Sequence, residues 1–183
     1  MKHIRYGQIS LAVMALIMAT GFIDPLWAAT VSEKESLRGL GGIVLKPMTF
    51  VSSPSQVAQE LPITDLTREV EQTLRQSGML LEEGLLDPSS DRPGLEIQGA
   101  ITQIAANYYA YTIMVELRQQ ATLIHNASRP TVVTWSEGTL STGDIQKFQE
   151  RVRLLVSMFV KDFQQVNSSA SPHVPATGTL SDL

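Results

Sequence analysis

The sequence predicts an α+β domain: a two-layer sandwich in which two helices cover one face of a four-stranded, mostly antiparallel sheet. Three observations lead there. Tyr109, Tyr111, Ile113, Val115 and Leu117 alternate with Ala110, Thr112, Met114, Glu116 and Arg118, as in a strand with one face buried and the other in water. Ile145, Phe148, Val152, Leu155, Phe159, Phe163 and Val166 recur at helical spacing. The element order is strand, helix, three strands, helix, and packing both helices on one side of the sheet covers every apolar face.

Residues 1–29 read as an export signal. Lys2 and Arg5 precede an apolar run from Ile9 to Ile23, and Leu26-Trp27-Ala28-Ala29 offers small residues to a peptidase. The run falls short of the roughly 20 residues of a membrane span. Cleavage is expected after Ala28 or Ala29, leaving no stable membrane anchor and placing the mature chain in a bacterial periplasm. The absence of cysteine fits that compartment better than a disulfide-rich secretory one, and excludes a lipid-modified N-terminal cysteine.

Residues 30–167 form the expected domain. A polar lead-in spans 31–39, and Ile43-Val44-Leu45 opens a first strand running to Val51. Pro47 has no N–H for a ladder, so the strand must bulge there or expose that edge. A Ser/Pro/Gln loop covers 52–60. Thr64 is placed to cap a helix over 65–77, with Asp65 in the first turn, Leu66, Val70 and Leu74 as its apolar stripe and Gly78 as its stop. A connector holding Glu82, Glu83, Asp87, Pro88, Asp91 and Pro93 follows.

Next come three strands joined as hairpins: 95–102, with Leu95, Ile97 and Ile101 inward; 109–118, which can extend to Leu123; and 131–139, with Trp135. Glu96, Gln98, Thr112, Glu116, Arg118, Gln120 and Thr134 should face solvent. Asp144 caps the last helix, about 22 residues or roughly 33 Å long. Ser168 onward, residues 168–183, reads as a disordered tail, because Ser, Pro and Thr rise and periodicity stops.

The chain carries 14 Lys and Arg against 18 Asp and Glu. Loss of Lys2, Arg5 and Asp24 leaves 12 against 17, a net −5. An acidic domain without a basic amphipathic segment has no electrostatic reason to hold nucleic acid or an anionic membrane.

Ser36-Leu37-Arg38-Gly39-Leu40, Leu74-Arg75-Gln76-Ser77-Gly78-Met79, Val115-Glu116-Leu117-Arg118-Gln119, Thr134-Trp135-Ser136-Glu137-Gly138 and residues 159–167 together give a chain that resembles a family of uncharacterised exported bacterial proteins. That family implies no activity and no functional residues. The element order is also similar to that of envelope-assembly domains, such as the outer-membrane partner of the lipopolysaccharide translocon and the periplasmic domain of curli secretion channels. That likeness implies binding or assembly work.

Catalytic groups are scarce. The mature chain has no Cys, and its histidines are His125 in a hairpin loop and His173 in the tail. No histidine pair has zinc spacing, and no metal or cofactor is expected. Gly39, Gly41 and Gly42 precede a strand where a dinucleotide loop would follow one. Asp144-Ile145 stands where a phosphate loop needs Lys and Ser or Thr. Asp87, Ser89 and Asp91 suggest a calcium loop, but Arg92 replaces its glycine.

No catalytic residue is therefore assigned. The sequence favours a non-catalytic periplasmic module that binds or helps assemble another envelope protein. Tyr108, near a hairpin turn and outward, is one candidate contact. Leu154, Val156 and Val160, which widen the last helix's apolar strip, are the others. The alternatives are a small-molecule or glycan-processing protein using acids such as Glu96 and Glu116, and self-association through the widened strip.

Overall fold

A computed structural model describes residues 29–82 and 92–168. Residues 1–28 of the expected signal, the connector residues 83–91, His173 and the tail beyond Ser168 lie outside them. Within the described residues the chain is α+β, with a six-stranded mixed sheet and four helices.

In chain order the elements are α1 (Val31–Glu35), β1 (Gly42–Leu45), β2 (Thr49–Ser53), α2 (Val57–Glu60), α3 (Ile63–Gln76), β3 (Leu80–Leu81), β4 (Gly94–Ala105), β5 (Tyr108–Gln120), β6 (Thr131–Gly143) and α4 (Ile145–Ser168). The strands lie in the order β3-β1-β4-β5-β6, with β2 also on β4.

Strands β4, β5 and β6 form the expected antiparallel meander, with Leu95 opposite Leu117 and Leu117 opposite Trp135. The expected sheet needs correction at its other side. β1, β2 and β3 pair in parallel, β1 and β2 with β4 and β3 with β1. The chain leaves β2 through α2 and α3 and re-enters the sheet in the same direction, as a helical crossover requires. The expected four strands, mostly antiparallel, become six of mixed direction, because the first is divided into β1 and β2 and β3 is added.

The single strand expected over 43–51 is two strands sharing one neighbour. Leu45 pairs with Leu95 and Thr49 with Gln98, four steps on one side against three on the other. The extra residue falls at the Lys46-Pro47-Met48 break, where the missing proline N–H already forbade a continuous ladder.

Helix α3 begins earlier than expected. Thr64 is not its cap; Ile63 is already helical, Pro62 occupies the cap position without a side-chain bond, and the Thr64 side chain is exposed. The stop is as expected. Gly78, at φ +86°, follows Ser77. Its N–H donates to Arg75 O at 3.1 Å, and that of Met79 to Leu74 O at 3.3 Å, the paired bonds of a Schellman turn. Met79 is buried beneath it.

Two short helices were not expected. α2 lies inside the predicted loop, and α1 inside the predicted polar lead-in. Thr30 and Glu33 form a reciprocal capping box at the start of α1.

Asp144 caps α4 through Oδ1, which accepts from Lys147 N at 2.8 Å. The helix packs across β5 and β6 and against α3. Its buried side is Phe148, Val152, Leu155, Val156, Phe159, Asp162 and Val166. Asp162 thus takes the place that apolar spacing assigned to Phe163, which is only half-buried. These side chains meet Leu66, Val70 and Leu74 of α3 and the inward residues of β4, β5 and β6 in one core. Phe159 stands edge-on to Trp135 at 4.9 Å between centroids, and Phe148 contacts Phe50 and Tyr111 in the same manner at 5.1 and 5.4 Å.

The α1 turn is tied to the far end of α4. Asn167 Nδ2 donates to Leu37 O at 3.0 Å, and its Oδ1 accepts from Gly39 N at 2.8 Å. Arg38 donates to Val166 O at 3.0 Å. The first and last described elements therefore close on each other.

Candidate functional site

On β6, inward residues follow the parity of Trp135: Glu137, Thr139, Ser141 and Gly143, set opposite Val115, Ile113, Tyr111 and Tyr109 of β5. An edge strand reading Trp, Glu, Thr, Ser on its buried side is unusual, because a buried carboxylate costs free energy unless it is paired. Helices α1 and α4 supply the pairing.

Asp162 of α4 is buried and accepts twice. Trp135 Nε1 donates to its Oδ2 at 3.2 Å, and Lys34 of α1 lies 2.9 Å from its Oδ1. Beside it, Glu137 is 2% exposed. Its Oε1 accepts from the backbone N of Ala29 at 2.9 Å, and its Oε2 is buried without a hydrogen bond. Desolvation is the main force raising the Glu137 pKa, with Asp162 and Glu33 acting the same way and the Ala29 N–H and Lys34 opposing. Ser136 and Thr30 hold Glu33 from either side. The Glu33 pKa is lowered: desolvation works against the shift, but the bonds from Thr30 and Ser136 outweigh it.

The opposite sheet face was expected to be solvated. Its named residues other than Glu116 are half-exposed or exposed, and it carries a chain of ion pairs. Glu96 and Glu116 stand directly opposite each other on β4 and β5, where two like charges repel. Arg118 answers both, with Nε 2.9 Å from Glu96 and Nη2 2.9 Å from Glu116. Lys46, from the break between β1 and β2, reaches Glu96 at 2.8 Å, and Gln98 donates to Glu116 at 3.3 Å. Glu116 is 8% exposed. The two acids are thus brought together as the sequence suggested, but one guanidinium bridges them.

Val31, Val51 and Leu80 are exposed singly on other elements, whereas three exposed apolar side chains sit together at the β5–β6 hairpin end. Ile124 is 97% exposed, and Leu123 and Val133 are exposed as well. Val133 pairs with Arg118 at a bulge near the same end. The turn is held by its own bonds: Ala121 N to Pro130 O, Leu123 N to Ser128 O and Ala127 N to Leu123 O, at 2.9–3.0 Å. Ala127 sits at φ +52°, a conformation disfavoured for a residue with a Cβ. His125 is exposed within this turn.

Among the described residues there is no group of three His, Cys, Asp or Glu able to hold a metal ion. No described helix is long and apolar enough to cross a membrane.

The predicted contact residues fare unequally. Tyr108 is 40% exposed, with its hydroxyl 3.1 Å from Thr142 Oγ1. Leu154 is 46% exposed. Val156 is not a surface residue: it is 1% exposed, because α3 covers that side of the strip. Val160 is half-buried against the core. The strip does not bring these residues together as a surface, and Tyr108 lies on the sheet.

Compared with known proteins, the chain matches no protein-family model and no curated protein.

Sequence reasoning missed Asp162, Glu137 and the hairpin tip. Each left a signal. Asp162 falls three residues after Phe159 on the apolar stripe, and Glu137 two after Trp135 on the inward parity. Leu123-Ile124 are two large apolar residues inside a turn rich in Asn, Ser and Pro.

Proposed function

We propose that the mature chain is a non-catalytic module of the bacterial periplasm that binds or helps assemble another component of the cell envelope. The observation that carries this reading is the β5–β6 tip. A bulky aliphatic side chain almost fully in water, beside Leu123 and Val133, on a turn fixed by three backbone bonds, is suited to seat in an apolar recess of a partner. Two strands of 13 residues each carry the tip, so it is presented without the ordering cost of a flexible loop.

The export-type N-terminus supports the compartment. The likeness of element order to envelope-assembly domains supports the kind of work. Arg118 and Lys46 together neutralise Glu96 and Glu116 in place, which fits a structural face better than an acid pair working on a glycan.

A photo-crosslinking residue at position 124, with one at exposed Arg75 on α3 as control, tests the reading in intact cells. A discrete adduct from position 124 and none from 75 is expected in the periplasmic fraction. No adduct above background at either position would refute the binding role.

A further inference from the structure

Glu137 is a carboxylate with one donor and no nearby cation to spare. Ala29 N supplies one N–H to Oε1 at 2.9 Å, while Oε2 is enclosed and unbonded. Lys34 is committed to Asp162 at 2.9 Å. Glu33 of α1 and Asp162 of α4 face the same region and add negative charge. An ionised carboxylate accepts at both oxygens, and a buried one also needs a compensating charge. The site lacks one donor and one positive charge.

Ala29 is itself buried, 9% exposed, and the sequence ahead of it is Leu26-Trp27-Ala28. If the peptide bond before Ala29 were opened, its nitrogen would become an ammonium with three N–H donors and a unit charge. Rotation about the N–Cα bond would turn the added donors beside the carboxylate that Ala29 N already meets at 2.9 Å. Both missing elements would arrive at once.

We infer that the export peptidase cuts between Ala28 and Ala29, and that the new α-ammonium of Ala29 forms a buried ion pair with Glu137 that locks the N-terminus onto β6. This rests on the export reading above. The reaction is hydrolysis: water adds across the Ala28–Ala29 amide, the C–N bond breaks, Ala28 leaves as a carboxylate and Ala29 keeps the proton as an ammonium. The neighbouring cut fits poorly. It would start the chain at Thr30, beside Glu33, whose two oxygens already accept from Thr30 N and Ser136 Oγ at 2.6 and 3.3 Å, and it would strip the under-bonded Glu137 of its donor.

The pair has a titration signature. A free α-amine titrates at about 7.7–8.0, and the facing carboxylate should raise it. A raised value means that stabilisation is complete below the ordinary value and is lost as pH rises through the folded one.

Processed protein purified from the periplasm supplies the test. Its mass and terminal sequence should begin at Ala29. Its α-amine, followed by the pH dependence of its acylation, should titrate above the ordinary value of about 7.7–8.0 in the native protein and lower in Glu137→Gln than in the native protein. A start at Thr30 or any other residue overturns the inference and leaves the export reading standing. An uncut chain in the cytosol overturns both. An α-amine titrating at its ordinary value with Glu137 present overturns the ion pair. The native-protein titration decides this even if Glu137→Gln fails to fold.

Discussion

A methyl group at position 99 would have nowhere to go. A Cβ built on Gly99 lies 1.9 Å from the carbonyl oxygen of Thr112, so β4 and β5 approach too closely there for any side chain. Gly99→Ala should cost about 1–3 kcal/mol, read as a lower urea midpoint with an unchanged slope. Asp162 is the second single-residue dependency. Asp162→Ala would leave the Trp135 N–H buried without an acceptor and Lys34 without its partner. A loss of about 1–3 kcal/mol is expected in chemical denaturation. The inward alternation of Leu95, Ile97 and Ile101 puts Gly99 on the same side of the strand but does not say why it is glycine, since close approach depends on two strands at once. It hid Asp162 for a related reason: seven apolar residues at helical spacing made one charged position on the same stripe easy to pass over.

At the scale of elements, the β4–β5–β6 meander was legible because its alternation survives everywhere except the inward side of β6. There Glu137, Thr139 and Ser141 are polar, and only the covering α1 and α4 make sense of them. α1 itself was missed although Thr30-Val31-Ser32-Glu33 carries a capping box. Five residues are too few to show a 3.6-residue period. The parallel direction of β1, β2 and β3 was not legible, since alternation reports which face is buried and the short loops that mark the β4–β5–β6 hairpins have no counterpart there. The charge ladder is an element-scale property of β4 and β5. Arg118→Met should leave Glu96 and Glu116 opposed and destabilise the sheet by about 1–2 kcal/mol, and adding Glu116→Gln should restore part of the loss in a double-mutant cycle.

For the whole molecule, the apolar strip on α4 is largely consumed inside the fold. Val156 lies under α3 and Val160 against the core, so Leu154 is what the surface retains. Leu154→Ser should therefore leave stability within about 0.5 kcal/mol and the mass by light scattering unchanged. A fall in mass would show that the residue holds copies together. What the sequence supported as a whole was the class, helices against a sheet around one core. The crossover that makes the sheet mixed depends on which strand β1 accompanies, and no local pattern encodes that.

The bond from Ala29 to Glu137 joins positions 108 residues apart, and β1 waits for β4 before it has a neighbour on that side. A polypeptide that emerges from its N-terminus therefore brings out its opening segments long before their partners exist. Adjacent hairpins close early, because short loops cost little entropy. The earliest residues made are thus among the last to be secured, and until then the N-terminal third must be kept from sticking elsewhere.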